Sequence, residues 1–243
     1  MTGITELRPT GAERELATVS ADVIAELAAV SARLESESAE AAVAFAVDRF
    51  GDRLLLAASF QDCVLIDVAA RVAPGIEVVF LDTQHHFPET YEYVETVRSR
   101  YNLNLRVVTP IVATDELWRD DANECCVLRK VEPLARALQG RDAWITGLRR
   151  AEATTRLGAP IVGIDHGRGI VKINPLAPWS DADVERYASD HGLPEHPLRA
   201  RGYISIGCAP CTEPVAPGAD PRSGRWAGQG KSECGLHGWP RPR

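Results

Sequence analysis

The chain has 243 residues, 45% of them hydrophobic and 25% charged, and a net charge of −7. That is enough apolar material for one large α/β domain, or a domain with an appendage, and it excludes disorder along the whole length. An acidic globule repels polyphosphate at long range, which argues against nucleic acid or an anionic membrane as partner, and no stretch approaches the roughly 20 apolar residues of a membrane span.

The N-terminus, Met1 to Glu6, lacks the basic start and apolar run of a signal peptide, so the sequence reads as cytoplasmic. In that compartment six cysteines are expected as ligands or catalysts, not disulfides. Residues 12–50 read as helical. Leu16, Val19, Val23, Ile24, Leu27, Val30 and Leu34 repeat every three to four positions, and a second helix covers Ala39–Phe50. The pattern then changes to short, continuously apolar runs, as in strands buried on both faces: Arg53–Ala58, Ile76–Leu81, Leu103–Val108 and Asp142–Thr146. Between them lie helical segments at Cys63–Val72, from Pro88 to Arg100, and near Val127–Leu138. Ile161–Ile173 adds extended structure, and Ser180-Asp181 caps a helix running to about Asp190.

Apolar strands alternating with amphipathic helices predict an α/β fold, a parallel twisted sheet flanked by helices. Ligands of such sheets sit beyond the carboxyl ends of the strands, which places Ser59–Asp62, Asp82–Thr83 and Gly147–Arg150 on one rim. The last thirty residues are Gly/Pro-rich and aperiodic, yet carry Trp226, Cys234 and Trp239. They read as a mobile functional tail. The expected organisation is a helical extension over residues 1–40, an α/β domain over 41–215 and the tail over 216–243.

Cys125-Cys126 and Cys208-Ala209-Pro210-Cys211 supply four thiolates, the number for tetrahedral zinc or an iron–sulfur cluster. Adjacent side chains on a helix diverge by about 100°. A multi-iron cluster tolerates that divergence better than a single ion, and a structural zinc is the alternative. Cys234, with Lys231 and His237 nearby, reads as a reactive nucleophile, because a neighbouring cation favours thiolate. Cys63, at a helix start, reads as packing or incidental. The turn Ser59-Phe60-Gln61-Asp62 joins a buried strand to a helix and so offers N–H groups to an anion. Arg149, Arg150 and Arg156 cluster, and residues 222–243 hold five Lys/Arg against one Glu. Phosphate and sulfate favour such arginines. Lys130, one turn beyond the tandem cysteines, puts positive charge between cluster and ligand.

Five motifs in order then resemble the assimilatory sulfonucleotide reductases. They are Cys-Cys-x-x-x-Lys (Cys125, Cys126, Lys130), Ile145–Arg150, Ser205–Cys211, Pro221–Trp226 and Glu233–His237. The four paired cysteines are similar to the branch that acts on adenosine 5′-phosphosulfate (APS); enzymes for its 3′-phosphorylated relative (PAPS) usually lack them. The resemblance covers roughly residue 40 to the end. It implies a fold of the PP-loop adenine-nucleotide type, although Ser59–Asp62 lacks the two glycines and final serine of that loop. This departure suits a substrate with a shorter anionic tail than ATP.

The resemblance also implies a [4Fe-4S] cluster on Cys125, Cys126, Cys208 and Cys211, and Cys234 as nucleophile. It implies an adenosine site near Ser59, Leu81 and Gly147, with Gln61, Asp62 and Arg149 on the same rim. The phosphosulfate would meet Lys130, Arg156, Arg222 and Arg225, with His237 binding it or orienting the tail. Thioredoxin or a similar dithiol donor would release sulfite from an S-sulfocysteine, in sulfate assimilation and cysteine biosynthesis; homo-oligomerisation stays open. Three rivals stand beside this reading. One is a PAPS reductase. Another is a PP-loop ATPase or ligase, which would need an intact glycine-rich loop. The last is a non-catalytic, zinc-stabilised nucleotide-binding module, which would be colourless where a cluster protein is brown.

Overall fold

The computed structural model describes residues 20–237. Helix α1 (Ala21–Leu34) begins at Ser20, whose hydroxyl accepts the Val23 N–H, and α2 (Ala39–Phe50) begins in the same way at Ser38. Each serine satisfies an N–H that has no partner inside the first turn. The earlier part of the expected helical stretch, residues 12–19, lies outside the described residues, as does Trp239.

The expected strands form one six-stranded sheet. They are β1 (Leu54–Ala58), β2 (Glu77–Leu81), β3 (Asn104–Val108), β4 (Ala143–Thr146), β5 (Val162–Asp165) and β6 (Ile170–Ile173), in the order β3-β2-β1-β4-β6-β5. All pairings are parallel except β5 with β6. The extended stretch Ile161–Ile173 is therefore a hairpin, not part of a wholly parallel sheet. Its turn at residues 166–169 is too short for the crossover that a parallel pair needs, and Gly169 supplies a positive φ there.

Successive side chains of a strand face opposite sides, so a doubly covered sheet sorts its residues into two cores. Leu54 and Leu56, Val78 and Phe80, and Ala143 and Ile145 face one side; Leu55, Val79 and Trp144 face the other. Helices α1, α2, α3 (Val64–Val72), α4 (Pro88–Tyr101) and α8 (Asp181–Asp190) pack on the first side. Helix α1 gives Leu27 and Leu34 to this core, and its Ser31 hydroxyl accepts the Val162 N–H of β5.

On the other side the expected helix near Val127–Leu138 is longer and interrupted. It begins with α5 (Leu117–Asp120) and α6 (Ala122–Cys126), passes through a π-helical turn at Val127–Val131, and ends as α7 (Glu132–Ala137). Pro133 has no N–H, and its ring would press on the Arg129 carbonyl in a regular turn; the wider π turn relieves that clash. The tandem cysteines close α6 directly before this widening.

The chain runs from β1 outward to β2 and β3, then returns to place β4 on the other side of β1. The order thus reverses between β1 and β4, and the crevice at their carboxyl ends is where an open α/β sheet takes a ligand.

Candidate functional site

At the end of β1, Ser59 leads into Phe60, which has a φ of 56° and a fully buried ring packed edge-on against Phe80 at 5.3 Å. This is the left-handed conformation that glycine adopts without penalty. The loop therefore has a glycine-type backbone without a glycine, held by burial of the Phe60 ring. Asp62, just ahead of α3, accepts the Val64 N–H at the start of that helix. Cys63 is in the core, as its packing role requires, and burial pushes its thiol up.

A cavity of about 190 Å³ opens at the β1–β4 reversal. Ser59, Gln61, Asp62, Leu81, Lys130, Gly147, Arg149, Arg156, Arg222, Arg225 and His237 all line it, together with Cys208 and Cys234. The structure thus brings together every residue expected in the substrate site. Its floor is apolar, from Ala57, Leu65, Phe80 and Leu148; its cations gather toward the tail. Arg225 lies flat on Gly207: a Cβ at that position would overlap the guanidinium, so the glycine of Ser205–Cys211 is needed for close approach.

A second, much smaller cavity, of about 10 Å³, is lined by Cys125, Cys126, Cys208 and Cys211, with His85, Arg129 and Lys130. Lys130 and Cys208 face both cavities. All four thiols are buried and unpaired by disulfides. Burial and the neighbouring Cys126 and Cys208 push Cys125 up to about 11, and burial with Cys208 raises Cys211. Cys208 goes the other way: burial would raise it, but Lys130 and the Thr83 hydroxyl, 3.2 Å from its sulfur, bring it below the usual thiol value. Burial works against the Lys130 cation, yet Cys208, Cys234 and Cys126 hold it firmly protonated. Among the described residues, no three His, Cys, Asp or Glu side chains converge on a position for a single metal ion. A tetrahedral zinc needs four sulfurs about 2.3 Å from one point, whereas a cubane spreads its four ligands over separate irons.

The tail folds back over both cavities. A bridge between Thr212 and Arg225, and the Trp226 N–H on the Cys211 carbonyl at 3.1 Å, fix its root. Trp226 is buried, with Lys130, Arg222, Arg225 and Lys231 all within about 6 Å of its ring centre. Cys234 is half-buried and packs on the cluster of Cys126, Cys208, Cys211 and Trp226.

Several residues here have partners that the sequence did not reveal. Glu233 receives two 2.7 Å hydrogen bonds from Arg156 and one of 3.2 Å from Thr155. Burial would raise its carboxyl, but Arg156 and Arg222 hold it below the usual range. Glu152 pairs with Arg156 and Arg149, and Arg149 also reaches Asp181 at 2.7 Å. Lys172 of β6 lies 3.1 Å from His237 Nδ1, and Trp144 stacks on the His237 ring at 6.0 Å and 12°. The one signal available was the apolar run of β6 broken by a lysine at a position that a buried strand would fill with an aliphatic residue.

Residues 53–214 match the phosphoadenosine phosphosulfate reductase domain family. A relative from Mycolicibacterium smegmatis named adenosine 5′-phosphosulfate reductase is 47% identical over 85% of this chain and 91% of its own length. One of the same name from Streptomyces coelicolor is 44% identical over 94% of this chain and its entire length. Among solved structures, phosphoadenylyl-sulfate (PAPS) reductase from Candida auris, in a phosphate complex, is similar with a TM-score of 0.70 and 30% identity, over 82% of this chain and 98% of that one. FMN adenylyltransferase from Candida glabrata shares the fold, with a TM-score of 0.54 at 14% identity.

Proposed function

This chain belongs to the phosphoadenosine phosphosulfate reductase domain family, and from that premise we propose that it reduces APS to sulfite and AMP in sulfate assimilation. The observation that carries the reading is one cavity holding Cys234, five cations and a rim suited to adenosine, with Lys130 and Cys208 shared with the four-cysteine cavity. No described helix is long and apolar enough to cross a membrane, and the proposed site of action is the cytoplasm.

The adenosine lies on the apolar floor beside Ser59, Leu81 and Gly147, with Gln61, Asp62 and Arg149 at its edge. Lys130, Arg156, Arg222 and Arg225 face the phosphosulfate. They lower the repulsion between thiolate and dianion and stabilise the charge that develops on the leaving phosphate. The Cys234 thiolate attacks the sulfate sulfur; an S–S bond forms, the S–O bond to AMP breaks, and Cys234 carries an S-sulfonate. A reduced dithiol, thioredoxin or a similar protein, then attacks Cys234 Sγ. Sulfite departs, a mixed disulfide forms, and the second donor thiol resolves it, so the dithiol supplies both electrons. Residues 216–243 act as the tail that presents Cys234 first to APS within the 41–215 domain and then to the donor, with residues 1–40 as its N-terminal extension.

The four-cysteine cavity fits a [4Fe-4S] cluster: four buried thiols share one space, and a buried lysine lies alongside. Cys125, Cys126, Cys208 and Cys211 would hold it, and its contribution there is electrostatic.

Incubation with APS alone should add a sulfonate mass to the peptide carrying Cys234, removable by reduced thioredoxin. Absence of the adduct under anaerobic conditions refutes the covalent route. Cys234→Ser should bind APS without turnover. Anaerobically purified protein should be brown with about four irons per chain; a colourless protein with one zinc refutes the cluster. Comparing rates with APS and PAPS tests the nucleotide preference.

A further inference from the structure

His237 lines the nucleotide cavity, but its ring is held from behind. Lys172 is buried on β6, with its Nζ 3.1 Å from Nδ1, and Trp144 of β4 stacks on the ring face. The hairpin turn adds a second hold, because Arg168, paired with Asp165, donates to the Leu236 carbonyl at 3.3 Å. Lysine ammonium can only donate. The Nδ1 that faces it must therefore accept, and the ring proton must sit on Nε2. An imidazolium would set N–H against N–H and add a third cation to the two from Lys172 and Arg168.

We infer that Lys172 is a positioning residue for the reaction: it fixes His237 as the neutral Nε2–H tautomer, a hydrogen-bond donor to an anionic oxygen of the bound nucleotide. The choice of tautomer is a property of the partner on the other nitrogen. Burial, Lys172, Arg156, Arg168 and Arg222 all hold His237 well below its usual value, and burial with Arg168 and Arg156 brings Lys172 down to about 8, against the opposing pull of Asp165 and Glu233. His166 shares the small cavity behind the pair. Below about 8 the pair holds one proton more than two neutral groups, and that proton stays on the lysine.

The inference about catalysis rests on the APS reading; the tautomer does not, so the two are tested apart. ¹⁵N spectra of the full-length protein labelled at histidine should show His237 as Nε2–H at pH 7. In Lys172→Met the Nδ1–H form should appear, and the ring should begin to protonate toward pH 6.5. An Nδ1–H ring in the parent protein, or an unchanged ring in Lys172→Met, overturns the assignment whatever the substrate. For catalysis, Lys172→Met should slow adduct formation on Cys234 about tenfold, less than the 10²–10³ lost when an oxyanion donor is removed outright. Lys172→Arg, which keeps a cationic donor, should recover most of the rate. The pair Lys172→Met/His237→Asn should be within about twofold of His237→Asn alone. A further tenfold loss in the double variant would show that Lys172 acts on its own account, and would overturn its action through His237.

Discussion

Glu233 sits one residue before the proposed nucleophile and ties the tail to Arg156. Its side chain is 24% exposed and that of Arg156 is 8% exposed. A fully exposed pair would contribute about 0–1 kcal/mol, and breaking a fully buried one would cost about 3–5 kcal/mol. This pair lies between, with two charge-assisted bonds of 2.7 Å, so Glu233→Gln should cost the closed tail about 2 kcal/mol. At 1.36 kcal/mol per factor of ten, the open population rises about 30-fold.

Tryptic cleavage after Lys231 reads this population, since the protease needs an extended segment and Lys231 is otherwise held by its 2.7 Å bond to the Ala122 carbonyl. Rates are divided by those of free peptides spanning the same site with Glu or Gln, which removes the protease's own preference. A normalised increase below about threefold would refute the latch. The same variant frees Arg156 from one of its two carboxylates. If the tail must close for chemistry, adduct formation with APS slows in Glu233→Gln even though a cation has become available; a faster first step would mean that Glu233 competes with the substrate for Arg156.

Gly207→Ala should push Arg225 off its seat and weaken nucleotide binding about tenfold, ~1.4 kcal/mol, with the fold intact; an unchanged Kd by calorimetry would refute the close-approach argument. Phe60→Gly relieves about 1–2 kcal/mol of left-handed strain but empties a buried ring site for about 3–5 kcal/mol, so the chain should be destabilised by about 2 kcal/mol in urea melts, and a stabilised variant would show that strain dominates. Burial holds His196 down at about 4, and its Nε2–H donates to Thr90 Oγ1 at 3.1 Å while Nδ1 accepts the Leu198 N–H at 3.2 Å. The unfolded chain takes up that proton below pH 6.5 and the folded one only near 4, so about 3 kcal/mol of stability present above pH 6.5 is lost as pH falls to 4. In His196→Gln the acid slope across that window should be shallower by that amount.

Much of this arrangement was legible in sequence, because it follows from patterns that have a single physical solution. Four short apolar runs separated by amphipathic helices admit little other than a covered parallel sheet, and β1, β2 and β4 end within a residue of the predicted rim. Cysteine, arginine and glycine motifs carry the resemblance to the sulfonucleotide reductases, and that resemblance named the cavity-lining set without coordinates. What could not be read depends on pairing between distant segments. The hairpin of β5 and β6 looked like one extended run, since a turn such as His166–Gly169 leaves too faint a mark. Glu233 opens a motif whose partner is not readable in sequence, and Glu152 is an ordinary surface residue type until Arg156 is seen between them.

The tail shows this limit best. By composition it is a polar, Gly/Pro-rich end with no periodicity, and its sequence names candidate residues, Cys234, Arg222, Arg225 and His237 among them, without showing what holds them in place. In the fold it is held at separate points that include the Trp226 ring among its cations, Lys231 on the end of α6, Glu233 on Arg156, Arg168 on the Leu236 carbonyl, and His237 on Lys172 and Trp144. None of these is an extensive apolar interface. Each is a local polar or cation–π contact, worth at most a few kcal/mol. A segment attached in this way can be released stepwise without unfolding the sheet beneath it. The proposed two-step reaction, which shows the same sulfur first to a bound nucleotide and then to an external thiol, requires that property, so on that proposal the contacts flanking Cys234, and not Cys234 alone, are where the tail's chemistry is controlled.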